Sequence, residues 1–373
     1  MKRKIKWKRW LIAAAVAVLV IAGALYTWYL NALSAVNERR QDVVFVVESG
    51  ENMDSVLERL QEENLIKNSF LVSLHARISG LTQTWEGVFT LNDTMSADEI
   101  LRRLNDADEA KTNQTLITFP EGSWAKDYAA LIEENLGISA EELIAKWNDM
   151  EYIRTLAQDY AFLDADTLDN EDYRVRLEGY LFPETYAFDE DADADAVTRT
   201  FLDHFQEIYE KYAHDFEDSD MSIHELITLA SIVQYEASTA EDMKTIAGVF
   251  YNRLQEGMPL QSTVTVCYAL YDDLDRSDSE SWKACEAKIG RASCEASTDI
   301  DSPYNTYLNE GLPIGPIVNP GEQAIEAVLN PDENDYLYFI ADINGVRGEQ
   351  GKVYYSTTYE EHRQLQEELG LVF

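Results

Sequence analysis

The sequence predicts an α+β protein in three parts: a single N-terminal transmembrane helix, a small α/β subdomain and a larger mixed α+β domain. Three observations predict it. Trp10 to Leu30 contains no charged side chain. Strand-like runs, glycine turns and short helical periodicities alternate over residues 42–170. Residues 171–373 mix long apolar helices, Gly/Pro-rich loops and a late pair of strands. The expected divisions are a basic segment at 1–9, the span at 10–30, a subdomain at 42–110, a second strand–helix unit with connector at 111–170, and the large domain at 171–373.

The composition is that of a folding chain, with 46% hydrophobic and 27% charged residues among 373. The net charge of -39 argues against nucleic-acid binding, which needs clustered Lys and Arg. The three cysteines, Cys267, Cys285 and Cys294, are too few for a disulfide-stapled scaffold or a four-cysteine zinc site. The five histidines are scattered, so neither a metal centre nor a cofactor is expected.

The charge is unevenly placed. Lys2, Arg3, Lys4, Lys6, Lys8 and Arg9 precede residue 10, whereas no acidic residue does. The uncharged run that follows is long enough to cross a ~30 Å hydrocarbon core as a helix. Trp10, Tyr26, Trp28 and Tyr29 stand near its ends, where aromatic belts belong. A cleaved signal peptide would have a shorter apolar stretch and end in small residues. An uncleaved single-pass anchor is therefore expected, with the N-terminus cytoplasmic and residues 31–373 outside the cell membrane.

Residues 43–47 (VVFVV) read as a strand, Ser49-Gly50-Glu51-Asn52 as a turn, and Met53, Val56, Leu57 and Leu60 as a helix face. A related unit follows, with a strand at Leu116–Phe119, a turn at Pro120–Ser123, and Tyr128, Ala129 and Ile132 on a helix face. Both helices close on EENL, at 62–65 and 133–136. Ser96–Glu99 and Ser139–Glu142 read as capping boxes. Strand, glycine turn and short helix in this order resemble LysM-like wall-binding modules; a generic α/β spacer has the same pattern. Leu177–Phe188 (LEGYLFPETYAF) reads as an apolar, aromatic loop. The acids of 189–195 read as a solvated loop without the glycine and final glutamate of a calcium site.

Ser222–Glu225 is another capping box, opening HELITLASIV, a helix apolar nearly all round and so fit for a core. His224-Glu225 is not a zinc-protease motif, because Thr228 stands where the second histidine is required. Glu236, near the end of this helix, shares a face with Leu229 and Ile232. Low polarity there would raise its pKa and keep a proton available for glycosidic cleavage. A structural ion pair at the helix end is the other reading. Met243–Leu254 forms an amphipathic helix stopped by Gly257, and MPLQSTVTV is expected as a loop or strand offering Gln261, Ser262 and Thr265. SPYNTYLNEGLPIGPIVNPG holds four Pro and three Gly and reads as a rigid irregular loop carrying Tyr304, Asn305 and Tyr307. Aromatic faces with amides and hydroxyls suit a sugar polymer. Strands at 336–342 and 353–356 and a polar helix close the chain.

LEGYLFPETY, LASIVQYEAS, AGVFYNRLQEGMPLQS, SPYNTYLNEGLPIGPIVNPG, DYLYFIAD and TYEEH, in this order from about residue 42 to 365, resemble the motifs of the YceG-like (MltG) endolytic murein transglycosylases. The resemblance implies a LysM-like subdomain before a catalytic domain over 171–373. It implies cleavage of MurNAc–GlcNAc bonds within nascent peptidoglycan strands, leaving 1,6-anhydro-MurNAc ends and limiting glycan length. Peptidoglycan is then the substrate, and peptidoglycan synthases are candidate partners. The family's catalytic glutamate, the second acid of an IVEKE-type motif, falls on Glu236. Tyr180, Glu184, Tyr186, Gln261, Ser262, Thr265, Tyr304, Asn305 and Tyr307 are candidate substrate-binding residues, each equally readable as a loop stabiliser. The chain departs from the pattern at Gln234, which replaces the first acid, at Thr263-Val264, which replace Asp-Pro, and at Ile314. It also carries an acidic insert at 271–300. Gln234 and Thr263-Val264 keep open a second reading, a non-enzymatic membrane-anchored peptidoglycan-binding scaffold.

Overall fold

The computed structural model describes residues 3–37, 42–48, 50–111, 114–237, 239–270 and 298–371. Two compact units result, Met1–Leu116 with Ala187–Glu190, and Ile117–Tyr186 with Asp191–Phe373. Cys285, Cys294 and most of the acidic insert lie outside the described residues.

The first unit begins with α1 (Arg3–Leu33). Its segment Ala13–Leu33 is long and apolar enough to cross a membrane, three residues further along than the expected span. Then come β1 (Asp42–Val47), α2 (Met53–Glu62), α3 (Ser69–Ser79), β2 (Gly87–Asn92) and α4 (Ala97–Leu104). β1 and β2 pair antiparallel with Phe45 opposite Phe89. One face of this ribbon, Phe45, Val47, Phe89 and Leu91, is buried against Val56, Leu57 and Leu60 of α2, Val72 and Ala76 of α3, and Ile100, Leu101 and Leu104 of α4. A two-stranded ribbon is marginal alone, and these helices supply its missing face. Asn52 and Asn68 cap α2 and α3, and Ser96 with Glu99 forms the expected capping box. α3 and β2 have no counterpart among the expected elements. Phe70, Leu74 and Ile78 of α3 are exposed, which blurs the amphipathic period that would announce a helix.

The second unit holds α5 (Ala125–Leu136), α6 (Ala140–Trp147), α7 (Met150–Asp159), α8 (Ala165–Leu168), α9 (Ala194–Lys211), α10 (Ala213–Asp218), α11 (Ile223–Glu236), α12 (Ala240–Gln255), α13 (Thr263–Ala269), α14 (Glu322–Leu329), β5 (Tyr338–Ala341), β6 (Val353–Ser356) and α15 (Tyr359–Leu369). β3 (Gln114–Thr118) pairs with β4 (Thr185–Asp189), and β5 pairs antiparallel with β6. α11 is the central helix: Leu226, Ile227, Leu229, Ala230, Ile232 and Val233 are at most 1% exposed. It packs against α12 and α14, which also pack on each other.

Three local expectations are corrected, and the expected solvated acidic loop is confined to 190–193. Ser139 makes no cap hydrogen bond, although α6 begins beside it. The end of LEGYLFPETYAF is a strand, β4, rather than loop. Asp193, in the acidic run, caps α9 through the backbone N–H groups of Asp195 and Ala196. The TVTV end of MPLQSTVTV opens α13 rather than continuing as loop or strand, while 258–262 are irregular as expected. There the Thr265 hydroxyl donates to the Ser262 carbonyl at 2.7 Å, and tertiary contacts override the strand preference of Thr and Val. The 301–321 stretch is irregular, as its Pro and Gly content requires.

Candidate active site

Glu236 is the last residue of α11, and the Ser222–Glu225 capping box fixes the other end of that helix. Because α11 is buried along its length, its final turn carries the carboxylate out of the core at a partly covered position. There it faces a cavity of about 460 Å³ lined by Arg253 of α12, the Leu260–Thr263 segment, Tyr307, β5, and Tyr359 and His362 of α15. The Ser262 hydroxyl donates to Glu236 Oε1 at 2.6 Å. Burial pushes the Glu236 pKa above the ordinary glutamate range, while the Ser262 hydrogen bond and the Arg253 charge partly offset this. Among the described residues Glu236 has no ion pair, and its side-chain partner is the Ser262 hydroxyl. No other Asp or Glu lines the cavity among the described residues.

The wall beside Glu236 is shaped by hydrogen bonds between the 261–263 segment and the irregular loop. Gln261 adopts a left-handed backbone, φ 51, and its N–H donates to the Thr306 carbonyl at 3.1 Å. The Ser262 N–H donates to Thr306 Oγ1 at 3.1 Å, and Thr263 Oγ1 meets the Tyr307 hydroxyl at 3.1 Å. Thr306 thus sets the orientation of Ser262, and Ser262 holds Glu236. Arg253 is spent on backbone: its Nε donates to the Leu337 carbonyl at 2.6 Å and its Nη1 to the Leu260 carbonyl at 2.8 Å, with its guanidinium 5.0 Å from the Tyr338 ring centroid. It therefore ties α12 to both cavity walls and contributes a positive field without pairing directly with Glu236.

Of the expected site residues, the cavity brings together Glu236, Gln261, Ser262 and Tyr307. The others do not line it. Tyr180 is buried with its hydroxyl 2.9 Å from His224 Nδ1. Tyr186 is buried, donating to the Phe182 carbonyl at 2.8 Å. Glu184 is exposed, and its Oε1 accepts the Thr185 N–H at 2.9 Å. Thr265 bonds Thr306 at 2.9 Å, Asn305 donates to the Thr298 and Ile300 carbonyls, and Tyr304 packs edge-on against Tyr268. These side chains are consumed in building the loops. Conversely, Arg253, Thr263, Tyr338, Tyr359 and His362 line the cavity without having been expected there. The signal was present: each lies in or beside AGVFYNRLQEGMPLQS, DYLYFIAD or TYEEH. His362 stacks on Tyr338 with ring centroids 5.2 Å apart, and its buried Nδ1 has no hydrogen-bond partner among the described residues. Burial and the Arg253 charge hold its pKa below the usual histidine value, so the ring is neutral at pH 7.

The YceG-like family model matches residues 45–368. The chain belongs to the YceG-like family. Similar proteins named endolytic murein transglycosylase occur in Bacillus subtilis (32% identity, over 94% of this chain and 91% of the relative) and Streptococcus pneumoniae serotype 2 (30% identity, over 90% of this chain). This YceG-like chain spans 60% of the length of the pneumococcal protein. It is also similar to a yceG-like protein from Listeria monocytogenes with a crystal structure, at 29% identity and TM-score 0.58, over 87% of this chain and 98% of that one. The YceG-like chain's departure at Gln234 has a structural setting. Its Oε1 accepts the Gly321 N–H at 2.9 Å and its Nε2 lies 3.4 Å from Glu121 Oε2, so the amide faces an acid instead of the cavity.

Proposed function

We propose that this chain is a membrane-anchored endolytic peptidoglycan transglycosylase that cleaves MurNAc–GlcNAc bonds within nascent strands. The observation that carries the reading is one protonatable carboxyl, Glu236, raised by burial, held by Ser262 and facing a cavity lined by no second acid among the described residues. Hydrolytic glycosidases generally need a second carboxylate as base or nucleophile. One carboxyl suffices when the substrate carries its own nucleophile. Glu236 protonates the glycosidic oxygen, the MurNAc 6-hydroxyl closes on C1, and the Glu236 carboxylate accepts that hydroxyl's proton. The Ser262 hydroxyl stabilises the carboxylate in the interval when it is ionised. Intramolecular closure avoids capturing water, an advantage that reaches about 7–11 kcal/mol for well-oriented groups. Tyr307 and Tyr359 offer aromatic faces for the sugar rings.

The relatives' names support the substrate class. The antiparallel β1–β2 ribbon with α2 and α3 between its strands supports a LysM-like reading of the first unit. The α1 span and its preceding basic residues support a cytoplasmic N-terminus, and a disulfide at Cys267 suits an oxidising compartment beyond the membrane. Peptidoglycan synthases, which deliver nascent strands, are the proposed neighbours. The scaffold alternative drew on Gln234, whose side chain is engaged with Gly321 and Glu121 away from the cavity, and on Thr263-Val264, of which Thr263 lines it.

The test is digestion of peptidoglycan in heavy-oxygen water followed by mass spectrometry. Unlabelled 1,6-anhydro-MurNAc ends, with internal cuts exceeding disaccharides released from chain ends, are expected. Label at the new MurNAc end means hydrolysis and refutes the mechanism. Binding without soluble products refutes the enzymatic reading.

A further inference from the structure

α3 is docked on the end of α1. The Tyr29 hydroxyl lies 2.7 Å from His75 Nδ1, and Lys67, just before α3, donates to the Ser34 hydroxyl at 2.9 Å. Tyr29 belongs to the segment long and apolar enough to span a membrane, so α3 sits at the level where α1 leaves the bilayer. On α3 a continuous apolar stripe remains uncovered: Phe70 is 74% exposed, Leu74 43% and Ile78 71%. Residues at i, i+4 and i+8 share one helix face. Leu71 and His75 come next around the helix, so the stripe adjoins the edge turned toward α1. α3 carries no Asp or Glu in its eleven residues, in a chain with 69 such residues. Its nearby cations are Lys67 and Arg77, the latter paired with Asp54 at 3.0 Å.

We propose that the Phe70–Leu74–Ile78 face of α3 is seated in the outer surface of the lipid bilayer beside the anchor, fixing the first unit against the membrane. This rests on reading α1 as a retained anchor. Lipid is the occupant because the apolar stripe lies beside α1, whose own uncovered apolar surface calls for lipid. Any other partner would have to share that edge with the bilayer. A helix with such a face lies in the interface with its apolar side about 5–10 Å into the headgroup and acyl boundary. Three seated side chains together with Tyr29–His75 would stop the first unit from pivoting freely on α1.

The experiment uses the full chain in vesicles of zwitterionic and anionic phospholipid, with single-cysteine substitutions labelled by an environment-sensitive fluorophore. Phe70→Cys and Ile78→Cys report on the stripe. Val20→Cys reports on the anchor, and Glu58→Cys, exposed on α2, is the aqueous control. The unsubstituted chain sets the background from its native cysteines. Spin-labelled lipid should quench positions 70, 78 and 20 and leave position 58 unaffected. Lipid quenching at 20 with aqueous quenching at 70 and 78 would overturn the proposal and leave the anchor standing. Absence of lipid quenching at 20 would overturn both. Shielding of 70 and 78 from both quenchers would mean that protein, such as a second copy of the chain, covers the stripe, and would overturn it as well.

Discussion

Replacing Glu236 by glutamine separates chemistry from structure. The amide oxygen of Glu236→Gln can still accept the Ser262 hydroxyl that donates to Oε1 at 2.6 Å, so the cavity wall is retained. What is lost is the proton. General acid catalysis contributes about 100–10,000-fold, equivalent to roughly 2.7–5.5 kcal/mol of barrier. No other carboxyl lines the cavity among the described residues to replace it, and the same group also serves as base, so the loss should lie toward the upper end. Stability should move the other way. Burial raises the folded-state pKa of Glu236, so the folded chain holds the proton more tightly than the unfolded one. The resulting stabilisation is complete below the unfolded pKa of about 4.3 and disappears as pH rises through the raised folded value. The glutamine variant has no such dependence, so its melting temperature relative to wild type should increase with pH across that window. The assay is release of soluble muropeptides from purified peptidoglycan, paired with thermal melts at pH 4 and pH 8. Activity within about tenfold of wild type, with a folded variant, would refute the assignment, because loss of a general acid costs more.

Ser262→Ala removes the donor that favours the ionised carboxylate, so the alkaline limb of the kcat/KM profile should move to higher pH while activity at the optimum falls; an unmoved limb would detach Ser262 from Glu236. Gln234→Glu sets a carboxylate about where Nε2 lies 3.4 Å from Glu121 Oε2 and should cost on the order of 1 kcal/mol near pH 7. That loss should shrink at high ionic strength, which screens the like-charged pair, and denaturant melts at low and high salt measure it. Tyr180→Phe deletes the hydroxyl bonded to His224 in the core and should lower stability by about 1 kcal/mol, leaving kcat/KM well below the melting temperature close to wild type. A large catalytic loss without a stability change would return Tyr180 to the substrate site. A chelator should leave turnover unchanged, since the proposed proton transfers need only the Glu236 carboxyl and the substrate's own hydroxyl.

Much of this protein is legible from local pattern. The uncharged run of α1, the Ser96 and Ser222 capping boxes, the all-apolar α11 and the Gly/Pro-rich 301–321 loop each follow from interactions within a few residues, which sequence spacing records directly. Glu236 stands out as a lone carboxylate ending an apolar helix, yet local pattern also allows a structural ion pair there, and its proposed role draws on the motif resemblance. Whether that carboxylate was paired, and what faced it, depended on residues far apart in the chain. Ser262 meets it only because Thr306 and the α13 turn hold the segment, and Arg253, Tyr338 and His362 reach the same cavity from a helix, a strand and a second helix. The buried fates of Tyr180, Tyr186, Asn305 and Thr265 were likewise decided in three dimensions. An aromatic or amide side chain in a loop reads the same whether its polar atom meets a sugar or a buried histidine or carbonyl, and only the packed core assigns its partner.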